Sequence, residues 1–211
     1  LSVAADSLAG PFRGSGATRG PQPATFSFST GPIADGRMRG KIALDAAASH
    51  AEAEGDLTLD AGAPAFSGKA NASGGTGANG PRWRAGFALQ ANATEARADN
   101  LDVRLGEEDN GLGASGEATL SRDGLAMNLV GRNLDLDRLH RAFPEWPSAA
   151  PAMSNDMRVK IALAADSATL GGETVAAPRA QLDFAAGAEP RLMLDAEPPG
   201  RSRLHYDGAI A

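Results

Sequence analysis

Three histidines are the side chains in this sequence best suited to proton transfer or metal binding near neutral pH. His50, His140 and His205 lie far apart along the chain, and none has a second histidine or a paired carboxylate at ligand spacing. A zinc site needs three or four protein ligands, and the chain contains no cysteine to supply a thiolate. We therefore predict surface or loop positions for these histidines and no metal centre.

Two short segments resemble ion-binding loops without completing the pattern. The acidic trio Glu107-Glu108-Asp109 offers carboxylate oxygens to Ca²⁺, but a solvated hairpin tip explains it more simply. The glycine-rich segment 74–79 occurs once, and no Lys-Ser or Lys-Thr pair follows its last glycine as a phosphate loop requires. The sequence also lacks a Gly-x-Ser-x-Gly nucleophile elbow and a His-Glu-x-x-His zinc motif. We predict no catalytic residue, no metal, no cofactor and no enzymatic activity.

Composition narrows the class of protein further. The 211 residues carry a net charge of −6, so the sequence predicts no nucleic-acid partner. Aromatic residues make up only 5%, and 26 glycines and 13 prolines interrupt the chain. Since alanine buries little apolar surface, such a chain is expected to form a thin core spread over many short elements. No run of about 18 or more apolar residues is present to form a membrane-spanning helix.

Alternation of apolar and polar residues with a period of two dominates the chain and predicts β-strands. In one such run, Ala51, Ala53 and Leu57 alternate with Glu52 and Asp56. Successive side chains of a strand point to opposite faces, so each run has one apolar and one solvated face. Comparable runs occur near residues 26–28, 37–45, 83–92, 101–105, 118–129, 159–163, 182–184, 192–194 and 204–210. They predict an all-β antiparallel meander, as a curved sheet forming a groove or as a repeat-like sandwich.

One segment departs from this period and predicts a single short helix near residues 135–143. Leu136 and Leu139 recur there at helical spacing, and Asp135 or Asp137 is placed to accept the free amides of the first turn. A proline follows directly after the segment and would end the helix.

Loops rich in glycine and proline suggest a division of the chain into units. We predict a β-rich segment with glycine- and proline-rich loops at residues 1–81, followed by a strand unit at 82–150 that ends in the short helix. A second, truncated strand unit is expected at 151–211. The last two units open alike, with an alternating strand followed by a polar stretch, which is a weak internal repeat.

Several segments resemble the AsmA family of bacterial envelope proteins. They are 100–106 (NLDVRLG), 116–120 (GEATL) and 129–139 (LVGRNLDLDRL), with weaker similarity at 65–70 (AFSGKA) and 197–208 (EPPGRSRLHYDG). In that family, paired short strands lead to a Leu-Asp-Leu-Asp stretch and a short helix. The resemblance covers about the last two thirds of the chain and rests on patterns of small and apolar residues.

The resemblance implies a long, curved β-groove in the periplasm of Gram-negative bacteria, anchored to the inner membrane by a helix outside this sequence. It also implies a role in outer-membrane lipid homeostasis, in which phospholipid acyl chains lie against the apolar concave face. Membrane contact would be made through other parts of the parent chain. We accordingly expect both ends of the sequence to be cuts from a longer polypeptide, since it starts at Leu1 without methionine and stops within an alternating run.

The apolar face of the sheet is the candidate binding surface. A sheet with one apolar face must cover it with another sheet, a helix or a ligand. Because only one short helix is predicted, most of this face must be covered by a second sheet or by a ligand. The lipid-groove candidates are Met38, Ile42, Leu57, Leu59, Phe87, Leu89, Leu101, Val103, Leu129 and Ile161. Taken singly, each is also explained as the plain core of a sandwich.

A different function remains open on the sequence. The chain could be a structural or adhesive β-repeat domain of a secreted or surface protein, binding through its polar face. Such repeats are usually more numerous and regular, with Thr or Asn ladders that this sequence largely lacks. We therefore favour a non-catalytic segment of an AsmA-like envelope protein that handles or transfers lipid.

Overall fold

A computed structural model describes residues 2–7, 9–18, 23–59, 63–75, 81–106, 111–142, 157–185, 187–200 and 202–209. These residues form one open 14-stranded sheet whose strands are ordered as they occur in the chain. The strands are β1 (Ser2–Ala5), β2 (Phe12–Ala17), β3 (Ala24–Thr30), β4 (Arg37–Ala46), β5 (Ser49–Thr58), β6 (Ala65–Gly75), β7 (Arg82–Ala91), β8 (Glu95–Leu105), β9 (Leu112–Ser121), β10 (Gly124–Asp135), β11 (Val159–Leu170), β12 (Glu173–Phe184), β13 (Arg191–Glu197) and β14 (Leu204–Ala209). A single helix, α1 (Leu136–Ala142), lies between β10 and β11.

The predicted all-β meander with one short helix is confirmed. Every pair of neighbouring strands is antiparallel except β10 and β11, which run parallel. Parallel neighbours need a crossover connection rather than a tight turn. Helix α1 forms the first part of that connection, which explains why the one helix of the described residues occurs where the strand direction repeats.

The turn between β9 and β10 requires glycine at Gly124. Its φ of +129° lies in a region that L side chains rarely adopt, and a Cβ there would overlap the carbonyl oxygen of Arg158. Leu125 donates its N–H to the same carbonyl, at 2.9 Å. The Asp123-Gly124 pair therefore forms the hairpin turn between β9 and β10, and the chain passes close to this turn again where β11 begins.

Two aspartates fix helix α1, each in a different way. Asp135 accepts the N–H of Arg138 through Oδ1 at 2.8 Å and is therefore the N-cap. Asp137 accepts the N–H groups of Gly171 and Gly172 at 2.7 Å each, so it binds the turn between β11 and β12. Phe143 and the proline that follows it lie outside the described residues. No helix in the described part of the chain is long and apolar enough to cross a membrane.

Protonation of Asp137 should release this contact. The hydrogen bond from the Gly172 N–H, and after it the one from the Gly171 N–H, holds the pKa of the Asp137 carboxyl below the ordinary value of 3.8. A carboxyl whose pKa is lowered by folding stabilises the fold above its unfolded pKa, and loses that effect as the pH falls through its folded pKa. We expect Asp137→Asn to lower the urea midpoint of unfolding near neutral pH, and the difference from wild type to vanish in acid.

Asp123→Asn is the matched control for this pH dependence. Asp123 lies exposed in the β9–β10 turn, and no hydrogen bond or ion pair of its carboxylate occurs within the described residues. The control should follow wild type throughout. A difference between wild type and Asp137→Asn that is equal at about pH 7 and at about pH 2 would show that charge plays no part in the contact.

The core of the described residues is thin. Its buried apolar side chains are Met38, Ala70, Leu101, Leu134, Leu139, Val159, Ala165, Ala168 and Ala196, and no polar side chain is buried with them. The accessible surface is 14104 Å², whereas a compact monomer of 21.4 kDa exposes about 9100 Å². Strands pack chiefly on their sheet neighbours, and α1 packs on β11. Most of one sheet face therefore has no second layer of described residues over it.

The sheet continues through both predicted unit boundaries. Strand β6 is hydrogen-bonded to β7 across the boundary near residue 81, and β10 to β11 across the boundary near residue 150. The connecting segments 76–80 and 143–156 lie outside the described residues. The three-unit division stays a prediction.

Candidate functional site

Strand register places most of the large apolar side chains on one side of the sheet, which we call the apolar face. Directly opposed residues of neighbouring strands lie on the same face, so a row can be followed from Met38 through Leu57 and Phe66 to Ala91. Strand by strand, the large residues of this face are Val3; Phe12; Phe26 and Phe28; Met38, Ile42 and Leu44; Leu57, with Leu59 just after β5; Phe66; Trp83, Phe87 and Leu89; Leu101, Val103 and Leu105; Leu112 and Leu120; Leu125, Met127 and Leu129; Val159, Ile161 and Leu163; Leu182 and Phe184; Leu192 and Leu194; and Leu204 and Tyr206.

All ten lipid-groove candidates lie on the apolar face. They fall into three groups along the sheet: Met38, Ile42, Leu57 and Leu59 on β4 and at the end of β5; Phe87, Leu89, Leu101 and Val103 on β7 and β8; and Leu129 and Ile161 on β10 and β11. Only Met38 and Leu101 are buried, with 8% and 4% of their surface exposed. The others remain partly accessible on one side of a single sheet, and no second sheet of the described residues faces them.

The first group lines a concavity of about 410 Å³ on the apolar face. Its walls also include Phe12, Phe28, Ile33 and Phe66, which the choice of candidates from the sequence missed. The alternating positions of Phe28 and Phe66 were a usable signal, since both occupy the apolar set of their strands. Ile33 follows the end of β3 outside any alternating run, so no sequence pattern pointed to it.

The side chains that line the concavity are mainly apolar. Its polar lining residues are Ser29, Thr30 and Lys41. Strand register places Ser29 and Lys41 on the opposite face of the sheet, and Thr30 Oγ1 accepts the N–H of Phe12 at 3.1 Å. No buried side-chain nitrogen or oxygen of the described residues is without a hydrogen bond. A ligand in this concavity would therefore contact mainly hydrocarbon, and it would not need a polar group to form hydrogen bonds with the wall.

The opposite side of the sheet, the polar face, carries cross-strand ion pairs. Lys41 Nζ lies 2.9 Å from Glu52 Oε2 on the neighbouring strand, and this hydrogen-bonded pair raises the pKa of Lys41 and lowers that of Glu52. Arg158 and Asp183 form a similar pair at 2.7 Å, which lowers the pKa of Asp183. These side chains are half-exposed, so the pairs add little stability but keep this face solvated.

Two of the three histidines pair with aspartates, which the sequence analysis did not anticipate. His50 Nδ1 lies 2.7 Å from Asp45 Oδ1, and His205 Nδ1 lies 2.7 Å from Asp195 Oδ1. In each case strand pairing places the two residues directly opposite each other on the polar face. No group of three or more metal-ligating side chains occurs among the described residues. The acidic trio at 107–109 lies outside them.

The apolar face is thus the largest feature of the described residues that the fold itself does not explain. It is continuous over the sheet, partly open to water and backed by a charged face that is fully solvated. In comparisons with models of known protein families, with curated proteins and with solved structures, the chain matches none.

Proposed function

We propose that the chain is a non-catalytic, lipid-handling segment of an AsmA-like envelope protein, and that its apolar face binds the acyl chains of phospholipids. The observation that carries this proposal is the apolar face itself, which extends along the 14-stranded sheet and, over most of its length, is covered by no second layer of the described residues. A soluble protein rarely exposes an apolar surface of this extent unless a partner, a ligand or a membrane covers it.

The size and exposure of the apolar side chains support a hydrocarbon ligand. Ile42, Leu44 and Leu120 keep 47%, 42% and 44% of their surfaces exposed on this face. Covering them removes apolar area from water, at about 25 cal/mol per Å², and each methylene of a bound acyl chain adds about 0.8 kcal/mol. A long acyl chain supplies many such methylenes and makes no demand for hydrogen bonds along its length.

The resemblance of the sequence to the AsmA family suggests the compartment in which the chain would bind lipid. The segments that carry it include β8, β9 and the passage from β10 into α1, which are regular elements of the sheet. On this proposal the chain works in the periplasm of a Gram-negative bacterium, as part of a parent protein anchored to the inner membrane. The charged polar face would contact water, and the apolar face would contact lipid in transit.

Charge placed on the apolar face should abolish lipid binding. Leu44→Asp combined with Leu120→Asp puts carboxylates at two accessible positions of this face, where a bound acyl chain would have to desolvate them. We expect phosphatidylglycerol binding to weaken by at least about tenfold, which corresponds to about 1.4 kcal/mol. Native mass spectrometry of the chain, purified gently from a periplasm and then titrated with phosphatidylglycerol, measures this directly.

The matched control places the same charges on the polar face. Val130→Asp with Met193→Asp alters residues that are 58% and 37% exposed there, and it should leave lipid binding unchanged. Circular dichroism checks that both double variants keep the sheet. A wild-type chain that is folded, lipid-free and indifferent to added phospholipid would contradict the proposal and favour the structural or adhesive β-repeat.

A further inference from the structure

One concavity of the apolar face lies near its β2–β4 end. Large side chains bound it, since Phe12, Phe28, Ile42 and Leu57 stand around a floor formed by Gly40 and Thr30. Gly40 is paired with Thr30 on one side and with Gly55 on the other, and Gly55 is paired with Gly68. The volume of about 410 Å³ falls within the range of about 300–1,000 Å³ that small-molecule sites occupy.

From this geometry we infer that the concavity is a dedicated seat for the methyl end of one acyl chain, with Gly40 as its floor. The inference rests on the proposed function and specifies where, and by which part of the lipid, the apolar face is first engaged. Its walls are mainly aromatic and aliphatic side chains, and the Thr30 hydroxyl oxygen among them already accepts the Phe12 N–H. An unbranched hydrocarbon tail matches such a lining, whereas a headgroup would lose its hydrogen bonds to water there.

Gly40, Gly55 and Gly68, which are paired in turn across three neighbouring strands, have different structural roles. A Cβ on Gly55 or Gly68 would overlap the backbone of the partner strand, so glycine there allows β5 and β6 to approach closely. A Cβ on Gly40 would lie 3.6 Å from Ser29 O and from Thr30 Cγ2, which is ordinary van der Waals contact. The backbone therefore tolerates a side chain at Gly40, and what its absence preserves is the space above the floor.

Filling that space is the direct test. We expect Gly40→Leu to weaken the binding of palmitate by about tenfold or more, measured by titration calorimetry, because the new side chain occupies the volume that the methyl end needs. A palmitate carrying a diazirine near its methyl end should cross-link the wild-type chain at residues that line the concavity, such as Phe28, Met38 and Leu57. In Gly40→Leu these cross-links should be lost.

Gly113→Leu provides the matched control. Gly113 lies opposite Arg104 on the polar face, and a Cβ there would have nothing within 4 Å. The same substitution in a strand of the same sheet should leave palmitate affinity and cross-links as in wild type. The wild-type cross-linking result stands independently, should Gly40→Leu fail to fold.

The outcomes separate this inference from the proposed function. If wild type binds palmitate but cross-links elsewhere on the apolar face, or if Gly40→Leu binds as tightly as wild type, the seat is overturned and lipid binding by the face survives. If wild type binds neither palmitate nor phosphatidylglycerol, both fall together. Loss of binding in Gly40→Leu but not in Gly113→Leu, with wild-type cross-links at residues that line the concavity, supports the seat.

Discussion

Val159→Asp is expected to destabilise the sheet by about 3–5 kcal/mol, because it buries a carboxylate that has no partner. Val159 is 1% exposed and begins β11, where it lies opposite Leu125 of β10 and Phe184 of β12. All of its immediate cross-strand neighbours are therefore apolar. Since the free energy of unfolding of a typical domain is only about 5–15 kcal/mol, the loss should be visible as a large fall in the urea midpoint of unfolding.

Loss of structure in Val159→Asp should be local before it is global. Each strand packs chiefly on its own neighbours, so stability is expected to behave as a sum of nearest-neighbour terms, as it does in repeat proteins. Amide hydrogen exchange should therefore accelerate in β10–β12, while β3–β6 keep their protection. Uniform acceleration across the whole sheet would show that the sheet unfolds as a single cooperative unit.

Val130→Asp is the control for this substitution. Val130 lies in the adjacent strand β10 but on the polar face, with 58% of its surface exposed. The same chemical change there leaves the carboxylate in water, so the cost should stay within about 1 kcal/mol, the span of strand propensities. Equal destabilisation by the two variants would contradict the assignment of the two faces.

Leu139→Ala should have the second-largest effect, at about 2–5 kcal/mol, the usual cost of truncating a buried leucine. Leu139 is 2% exposed and is the one buried side chain of α1. A helix of seven residues is too short to be stable without tertiary packing, so its docking depends on this side chain and on Asp137. The predicted readout is a lower midpoint of unfolding together with faster exchange of the Gly171 and Gly172 amides, which donate to Asp137.

Leu170→Ala is the matched control for the helix. Leu170 ends β11 next to the same turn, but 61% of its surface is exposed. Removing its side chain should change the free energy of unfolding by no more than about 0.5 kcal/mol. If Leu139→Ala behaves like this control, then α1 is held by its two aspartates and not by apolar packing.

Strands and faces could be predicted from the sequence because their signal is local. The alternation of Ala51, Ala53 and Leu57 with charged residues marks a strand and states which side chains share a face, and β5 follows that pattern. Helix α1 was predictable for the same reason, since the spacing of Leu136 and Leu139 and the N-cap Asp135 are contained within a few residues. The ten candidate residues shared one face because each was chosen from the apolar set of an alternating run.

What only the tertiary structure decided depends on contacts between distant segments. The bond from Asp137 to the β11–β12 turn joins residues more than thirty positions apart, so no local pattern could indicate it. The parallel pairing of β10 and β11 and the gathering of Phe12, Ile33 and Phe66 around Gly40 are likewise consequences of strand order. Alternation specifies which face a side chain occupies, but it carries no information about which strand lies beside it. Local sequence therefore determined an apolar face, and strand pairing alone determined where that face becomes a pocket.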